Sequence, residues 1–467
     1  MSAVLKRQQI DDATAQVAAF VVDTRTADIP PPVLDRARDA IVDTLGCGLA
    51  GSKEEVSRIA LQWVDELGGR EQSSLWGTGI RTSVAEAAFA NGIFAHALDF
   101  DDSLPTLRGH PSAPIVAAAL AVGEAAGSSG KDVLTAYAVG LDIAGKLGSV
   151  LGNEHYLQGW HNTSTVGTFT ATAVSARLWK LDAIQLRMAW GLAASQMSGL
   201  VRNFGSMAKP FHVGRAARAG VMSAWLAKKG FTADPSIFDG RNNVLQTYFA
   251  NDVDGMNSVV SRLGAPWEAQ VPGNWVKRWP CCYCSHRAIG GLFALMKEHR
   301  LEARDITAIH VGFLPGTDAP LISTDPQTGL EGKFSVEYSL AAAALDGTLT
   351  LESFTDEMVQ RPAARALLGK VKRYPIADSR VYGLDAHTEL VVETAQGKVS
   401  MTVERTPGSP AWPLTQADRD EKFLDCAGRV LSATNAAELL AYATRFDAIE
   451  NIGHLMTVAP GLRRPGT

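Results

Sequence analysis

The sequence predicts a mainly helical protein: a large all-helical domain plus a smaller α+β domain. Three observations point there. Apolar residues recur three and four apart through roughly the first 270 residues; strand-like alternation is confined to a stretch after Pro272; and helical spacing resumes after Gly408-Ser409-Pro410. In order, Val33 to Leu49, Val84 to Leu98, Pro114 to Ala126, Lys131 to Leu147, Ser164 to Leu181 and Gln185 to Leu200 read as helices. Their faces are rich in Ala and Gly, which lets helices approach closely and implies inner helices covered on most sides. In the second region Ile306 to Phe313 reads as a strand. Glu389 to Thr394 and Val399 to Val403 read as a hairpin around Ala395 to Lys398, with helices at Arg287 to His299, Phe334 to Leu345 and Ala363 to Val371. Helices return at Ala417 to Leu431 and Ala436 to Phe446. The expected domains are 1–270, 271–407 and 408–467, the last completing the helical domain.

A chain of 467 residues, 46% hydrophobic and 20% charged, has length for a large core. Its net charge of −5 argues against nucleic acid as a partner, which normally needs a basic face. Met1 to Asp12 lacks the apolar stretch of a signal peptide. No apolar run is expected to reach the ~20 residues that cross a membrane; the best, Ala113 to Val122, soon meets Glu124. Cys47, Cys281, Cys282, Cys284 and Cys426 are few and odd in number, which fits a reduced, cytoplasmic protein.

Three blocks share one design. His96-Ala-Leu-Asp99-Phe-Asp101-Asp102 leads to Arg108-Gly-His110-Pro-Ser112 and a helix; His155-Tyr156 leads to Trp160-His161-Asn162-Thr-Ser164 and a helix; Asn203 to Lys209-Pro-Phe-His212 leads to a third helix carrying Arg215 and Arg218. The prolines suit a first helical position, and Asn162 to Ser164 are good caps. His110, His161 and Lys209 thus stand at three predicted helix starts, whose free N–H groups and positive dipole end bind carboxylates. The same positive end disfavours a charged lysine, which suits a proton acceptor. Two further blocks, Lys277 to His286 and Gly329 to Tyr338, lie in the α+β region and could close over a substrate.

Taken singly, each residue has a plain structural reading: a capping histidine, a surface lysine, aspartates that cap or bridge, packing tyrosines. The repetition of one device carries the functional reading. Gly46-Cys-Gly-Leu-Ala-Gly51 matches a dinucleotide fingerprint in letters only, because a helical pattern precedes it; close helix packing or a turn is expected instead. Gly127 to Asp132 lacks the glycine spacing of a phosphate loop. The Cys281, Cys282, Cys284, His286 cluster is too tight for usual zinc patterns, and the Asp101–Asp102 pair is a weak magnesium candidate, so no metal is expected.

Together these blocks resemble the MmgE/PrpD family, which includes 2-methylcitrate dehydratase, cis-aconitate decarboxylase and iminodisuccinate epimerase. The resemblance runs from the helix near Asp43 to the C-terminal helices, nearly the whole chain, and is strongest at His96 to Ser112, Gly159 to Gly167, Lys209 to Gly214, Lys277 to His286 and Lys333 to Tyr338. The resemblance implies a helical domain with an α+β lid, a homodimer, no cofactor and a small polycarboxylate substrate. It implies Asp99, His110, His161, Lys209, His286 and Tyr338 as site residues; Arg108, His96 and Lys277, in the same blocks, are further candidates for substrate contact. The His155 to His161, Met207 to Pro210 and Trp279 to Tyr283 segments look most like the epimerase branch, in which Tyr156 and Lys209 would be paired bases. The segment between Asp102 and His110 lacks the Trp expected in the dehydratases and decarboxylases, and Ala113 stands where many dehydratases carry Asp after His-Pro-Ser; both point away from the dehydratase branch. The expected activity is therefore removal of an α-proton beside a carboxylate, in an epimerase first, with a lyase of the family as alternative. Two other classes stand beside it, a non-catalytic helical binding protein and a metal-dependent lyase using Asp101 and Asp102.

Overall fold

The structure, a computed structural model, describes residues 12–249, 255–377 and 386–457. In chain order its elements are α1 (Ala13–Asp23), α2 (Pro31–Gly51), α3 (Glu55–Leu67), β1 (Ser73–Ser74), β2 (Arg81–Thr82), α4 (Val84–His96), α5 (Ser112–Ala126), α6 (Gly130–Leu151), α7 (Glu154–Leu157), α8 (Asn162–Leu178), α9 (Ala183–Ala194), α10 (Ala208–Lys228), α11 (Val244–Phe249) and α12 (Gly255–Val260). There follow α13 (His286–His299), β3 (Ile306–Phe313), α14 (Gly329–Gly332), α15 (Val336–Asp346), α16 (Asp356–Gln360), α17 (Pro362–Leu368), β4 (Val371–Pro375), β5 (Thr388–Thr394), β6 (Gly397–Val403), α18 (Gln416–Ala427) and α19 (Ala433–Ala443). The mainly helical class with a smaller α+β part is as the periodicity predicts. The signal-peptide expectation for the N-terminus lies almost wholly outside the described residues.

The chain divides into two compact units, one of Met1–Asn274 with Arg419–Thr467, the other of Trp275–Asp418. In the first, α4, α5, α8 and α10 pack on one another at the centre. α5 is buried from Ser112 to Gly123, and α8 is buried along almost its whole length despite six Ser and Thr residues between Thr163 and Thr172. Its hydroxyls remain satisfied without leaving the helix: Thr168 donates to the Ser164 carbonyl, Thr172 to that of Thr168, and Ser175 to that of Ala171. Small residues set the spacing. A Cβ on Gly214 of α10 would stand 2.3 Å from the Phe89 carbonyl of α4, so these two helices, which bear Lys209 and His96, touch backbone to backbone.

The glycines of the fingerprint-like run sit inside α2, where a Cβ on Gly48 would meet the Trp76 ring at 2.4 Å. They serve helix packing, as the preceding helical pattern implies. α6 overturns the expectation that no apolar run nears membrane-spanning length: it has 22 residues and enough hydropathy, but 89% of its apolar window is buried inside the protein. Its Asp142 and Lys146 are buried too, with Lys146 Nζ 3.0 Å from Glu268 Oε1. The C-terminal segment packs into this unit, where Lys422 pairs with Asp43 at 2.7 Å and Gly130 donates to the Ile449 carbonyl.

In the second unit, α13–α17 accompany a four-stranded sheet of order β4-β3-β5-β6. β5 and β6 form the expected hairpin, with Thr394 opposite Gly397; β3 is antiparallel to β5 and parallel to β4. β4 replaces the end of the helix expected over Ala363 to Val371: α17 stops at Leu368, and Val371 pairs with Ile309.

Candidate functional site

The three predicted helix starts do converge, with small differences at each cap. His161, rather than Asn162 to Ser164, is the N-cap of α8; its carbonyl accepts from the Ser164 and Thr165 amides. Pro111 caps α5 and Pro210 is third in α10, so both prolines fall where an amide hydrogen has no helical acceptor. Lys209 is the second residue of α10, and its ammonium donates to Asp99 Oδ1. His110 Nε2 lies 3.6 Å from the same oxygen. The His96 ring is 4.5 Å from that of His110 and 6.1 Å from that of His161. Asp99, His96, His110, His161 and Lys209 therefore form one cluster inside the first unit, all but His110 more than nine-tenths buried.

Backbone strain sits at the same place. Asp99 and Arg108, neither of them glycine, have φ of 53° and 54°, a left-handed conformation that costs of order 1 kcal/mol or more for an L-residue. The segment between them is pinned. Asp102 accepts from the Ser112 hydroxyl at 2.6 Å and from the Asn274 amide side chain at 2.5 Å, and Lys422 donates to the Phe100 carbonyl at 2.9 Å.

Burial governs the protonation of the surrounding groups. It pushes His96 down to about 4 and His161 well below the ordinary imidazole range, with the Lys209 charge adding to the effect on His161. Both rings are therefore neutral at pH 7. Burial lifts the Asp102 carboxyl to about 6. For Asp101 burial acts upward, but His96 and His110 outweigh it and hold the carboxyl far below its ordinary range.

Tyr156 stands half-buried on α7, its ring 6.5 Å from that of Phe204; Lys209 Nζ is 5.2 Å from the centre of the same ring. Arg108 lies near enough to Tyr156 and Glu154 to feel both, though burial dominates and lowers its value. His212 was not foreseen. Its Nδ1 is 3.1 Å from His161 Nδ1, and as the residue three after Lys209 on one helix it shares that helix's face. Phe204, whose ring packs against His161 at 4.8 Å, gave no signal of its own in the sequence.

The second unit holds the remaining expected residues. Lys277 and His286 are buried there, with His286 stacked on Tyr283 at 4.8 Å and beside Trp279 at 5.1 Å. Tyr338 is fully buried in the core of this unit, and its hydroxyl donates to the Ser353 carbonyl. His96 is 1% exposed, and its Nδ1 is held by Asp101.

His96, Asp99, Asp101 and His110 bring donor atoms within 4.8 Å of one another, and are the described residues that could hold a metal ion. The ammonium of Lys209 already occupies Asp99. Asp101 and Asp102 do not act as a pair, because Asp102 turns to Ser112 and Asn274. All five cysteines are free thiols.

Two family models match the chain: the MmgE/PrpD N-terminal domain over residues 15–255 and the MmgE/PrpD C-terminal domain over 279–448. Among relatives, the chain is 26% identical to cis-aconitate decarboxylase of Homo sapiens, over 97% of this chain and 95% of that protein. It is 25% identical to the Mus musculus cis-aconitate decarboxylase (97% and 94%) and 25% identical to a cis-aconitate decarboxylase-like protein of Aspergillus oryzae (96% and 98%). The first of these models spans the whole histidine and lysine cluster and the second most of the remaining chain, so the chain belongs to the MmgE/PrpD family of enzymes.

Proposed function

We propose that this enzyme is a cofactor-independent lyase that generates a carbanion beside a carboxylate of a small polycarboxylic acid, with cis-aconitate as the first substrate to test. One observation carries the choice of lyase over epimerase: the ammonium of Lys209 rests on the Asp99 carboxylate. A lysine held in that pair enters the reaction as a proton donor, whereas the epimerase reading needs it as a base. The names of the relatives support the same branch.

In this reading the substrate's carboxylates lie against the N-termini of α5, α8 and α10, which supply free amides and positive dipole ends. Decarboxylation breaks a C–CO₂ bond and leaves its electron pair on an allylic carbanion. His110 and the N-terminal amides stabilise the developing charge, and Lys209 delivers the proton that caps the carbon. Arg108 holds a remote carboxylate. A second reading, the epimerase, keeps one observation in its favour: Tyr156 and Lys209 both lie beside Phe204, as two proton-exchanging groups about one substrate would.

Proton NMR of the EDTA-treated protein in D₂O tests these readings with cis-aconitate, 2-methylcitrate, citrate and iminodisuccinate. We expect itaconate carrying deuterium from cis-aconitate. A new vinyl signal from 2-methylcitrate would make the enzyme a dehydratase instead. Deuterium at Cα of intact iminodisuccinate would establish the epimerase. Silence across the panel from folded protein would leave the family standing and put the substrate outside these four acids.

We also infer a homodimer, supported by an apolar stripe along α10, and a reducing, cytoplasmic setting, supported by the free thiols. The α10 stripe comprises Met207, Phe211, Met222 and Trp225, each between 42 and 46% exposed. With Arg215 and Arg218 between them the spacing is four, four, three, four and three, one face of the helix throughout.

A further inference from the structure

We propose that Asp101 is a positioning residue whose one buried carboxylate sets where both His96 and His110 carry their protons. Both of its oxygens lie 2.9 Å from His96 Nδ1, and Oδ2 also lies 3.2 Å from His110 Nδ1. The His110 approach lies off the line of a hydrogen bond, so His110 Nδ1 meets Asp101 as a charge contact. An ionised carboxylate can only accept, so the nitrogen facing it carries the hydrogen. His96 is thereby an Nδ1–H tautomer; at His110 the Asp101 charge 3.2 Å from Nδ1 outweighs Asp99, which is 3.6 Å from Nε2 and already offset by the Lys209 ammonium, so Nδ1 carries the hydrogen there too and Nε2 is left to exchange a proton.

For His110 this matters directly. Its Nε2 is the atom 3.6 Å from Asp99 Oδ1, at the Lys209 end of the cluster. For His96 it fixes a neutral ring as the wall against which the His110 ring packs edge-on, at an interplanar angle of 68°. Asp101 is itself fully buried, so it acts through these rings and does not touch a substrate.

The chain around Asp101 is built to hold it. Asp99 in its left-handed conformation turns the backbone, Lys422 clamps the Phe100 carbonyl, and Asp102 is tied to Ser112. Asp99 and Asp101, two apart, thus serve the histidine cluster, while Asp102 faces the start of α5. The two imidazoles keep the Asp101 carboxyl far below its ordinary range, so it stays an acceptor throughout physiological pH. Asp101 reads in the sequence as a cap, a bridge or half of a metal pair; bridging two histidines is a different task.

The kinetic part of the test rests on the proposed lyase reading, so a second readout is independent of substrate. In ¹⁵N-histidine-labelled full-length protein, long-range ¹H–¹⁵N spectra assigned with His96→Gln and His110→Gln are expected to show Nδ1 protonated on both rings. Asp101→Asn is expected to lose that pattern at His110 and to lower kcat about 100-fold or more with KM within about threefold, with Asp101→Glu recovering part of the loss. An Nε2–H tautomer at His110 in the wild-type protein overturns the proposal whatever the substrate proves to be. So does folded Asp101→Asn with kcat within about tenfold of wild type. If Asp101→Asn fails to fold, the wild-type spectra still decide.

Discussion

Lys209 and Asp99 make the sharpest claim at the scale of single residues. Both side chains are more than nine-tenths buried and each is the other's charge partner. Removing one partner of such a pair leaves the other charged in a dry site, at a cost of roughly 3–5 kcal/mol, whereas removing both leaves no charge to strand. Lys209→Met and Asp99→Asn are therefore each expected to destabilise the protein by amounts in that range, with the double variant more stable than the sum predicts. Urea unfolding of the four proteins measures the coupling, and an additive double variant would dismiss the pair as an energetic unit. Activity follows a different pattern. Loss of the proton donor is expected to cut kcat by about 10²–10⁴-fold in Lys209→Met, and the double variant is not expected to regain it. Recovery of activity alongside stability would remove Lys209 from the proton-transfer step.

At the scale of elements, α10 joins the site to the surface: Lys209 begins it facing inward, and Met207, Phe211, Met222 and Trp225 run along its exposed side. If a second copy covers that side, Phe211→Lys with Met222→Lys is expected to convert a dimer of the 49.7 kDa chain into a monomer by light scattering. An unchanged dimer would move the interface elsewhere, and a monomeric wild type would end the homodimer reading. The same helix shows what the sequence makes legible. Proline, a basic residue and a histidine three places on mark its start, because backbone chemistry at helix ends is local. Its crossing with α4 through Gly214 and Phe89 is not local, and no pattern in either segment names the partner. β4 was misread for the same reason. Five residues ending in Pro375 show little alternation, and only the parallel pairing of Val371 with Ile309 makes them a strand. His110, His161 and Lys209 were legible because one device repeats at three helix starts, and Asp99 through the family resemblance. Phe204 and the role of Asp101 depend on loops meeting in space, which a linear pattern does not encode. The burial of Tyr338 in the second unit's core likewise follows from packing that its motif does not spell out.

Over the whole molecule, the balance of buried titratable groups makes stability depend on pH, and its direction can be worked out. Burial holds His96 and His212 down to about 4, His155 to about 3 and His161 well below its ordinary value. The unfolded chain binds these protons first, so their contribution is complete above about 6.5 and is lost as pH falls through the folded values. For fully buried His96 alone the shift corresponds to about 3 kcal/mol. Asp102 and Asp142 oppose this. Burial raises each to about 6, so the folded protein binds these protons first, and their contribution is present below the ordinary carboxyl range and lost as pH rises through 6. Between pH 6.5 and 6 only the histidines act, and between 6 and 4 four histidines outweigh two carboxyls. All six groups lie in the first unit. Calorimetric melting is therefore expected to shift down by several degrees from pH 7.5 to pH 5, with His96→Gln reducing the shift. A melting temperature at pH 5 equal to that at pH 7.5 would mean that these rings are protonated in the folded state, and the neutral His96 and His161 on which the site's chemistry is built would fall with it.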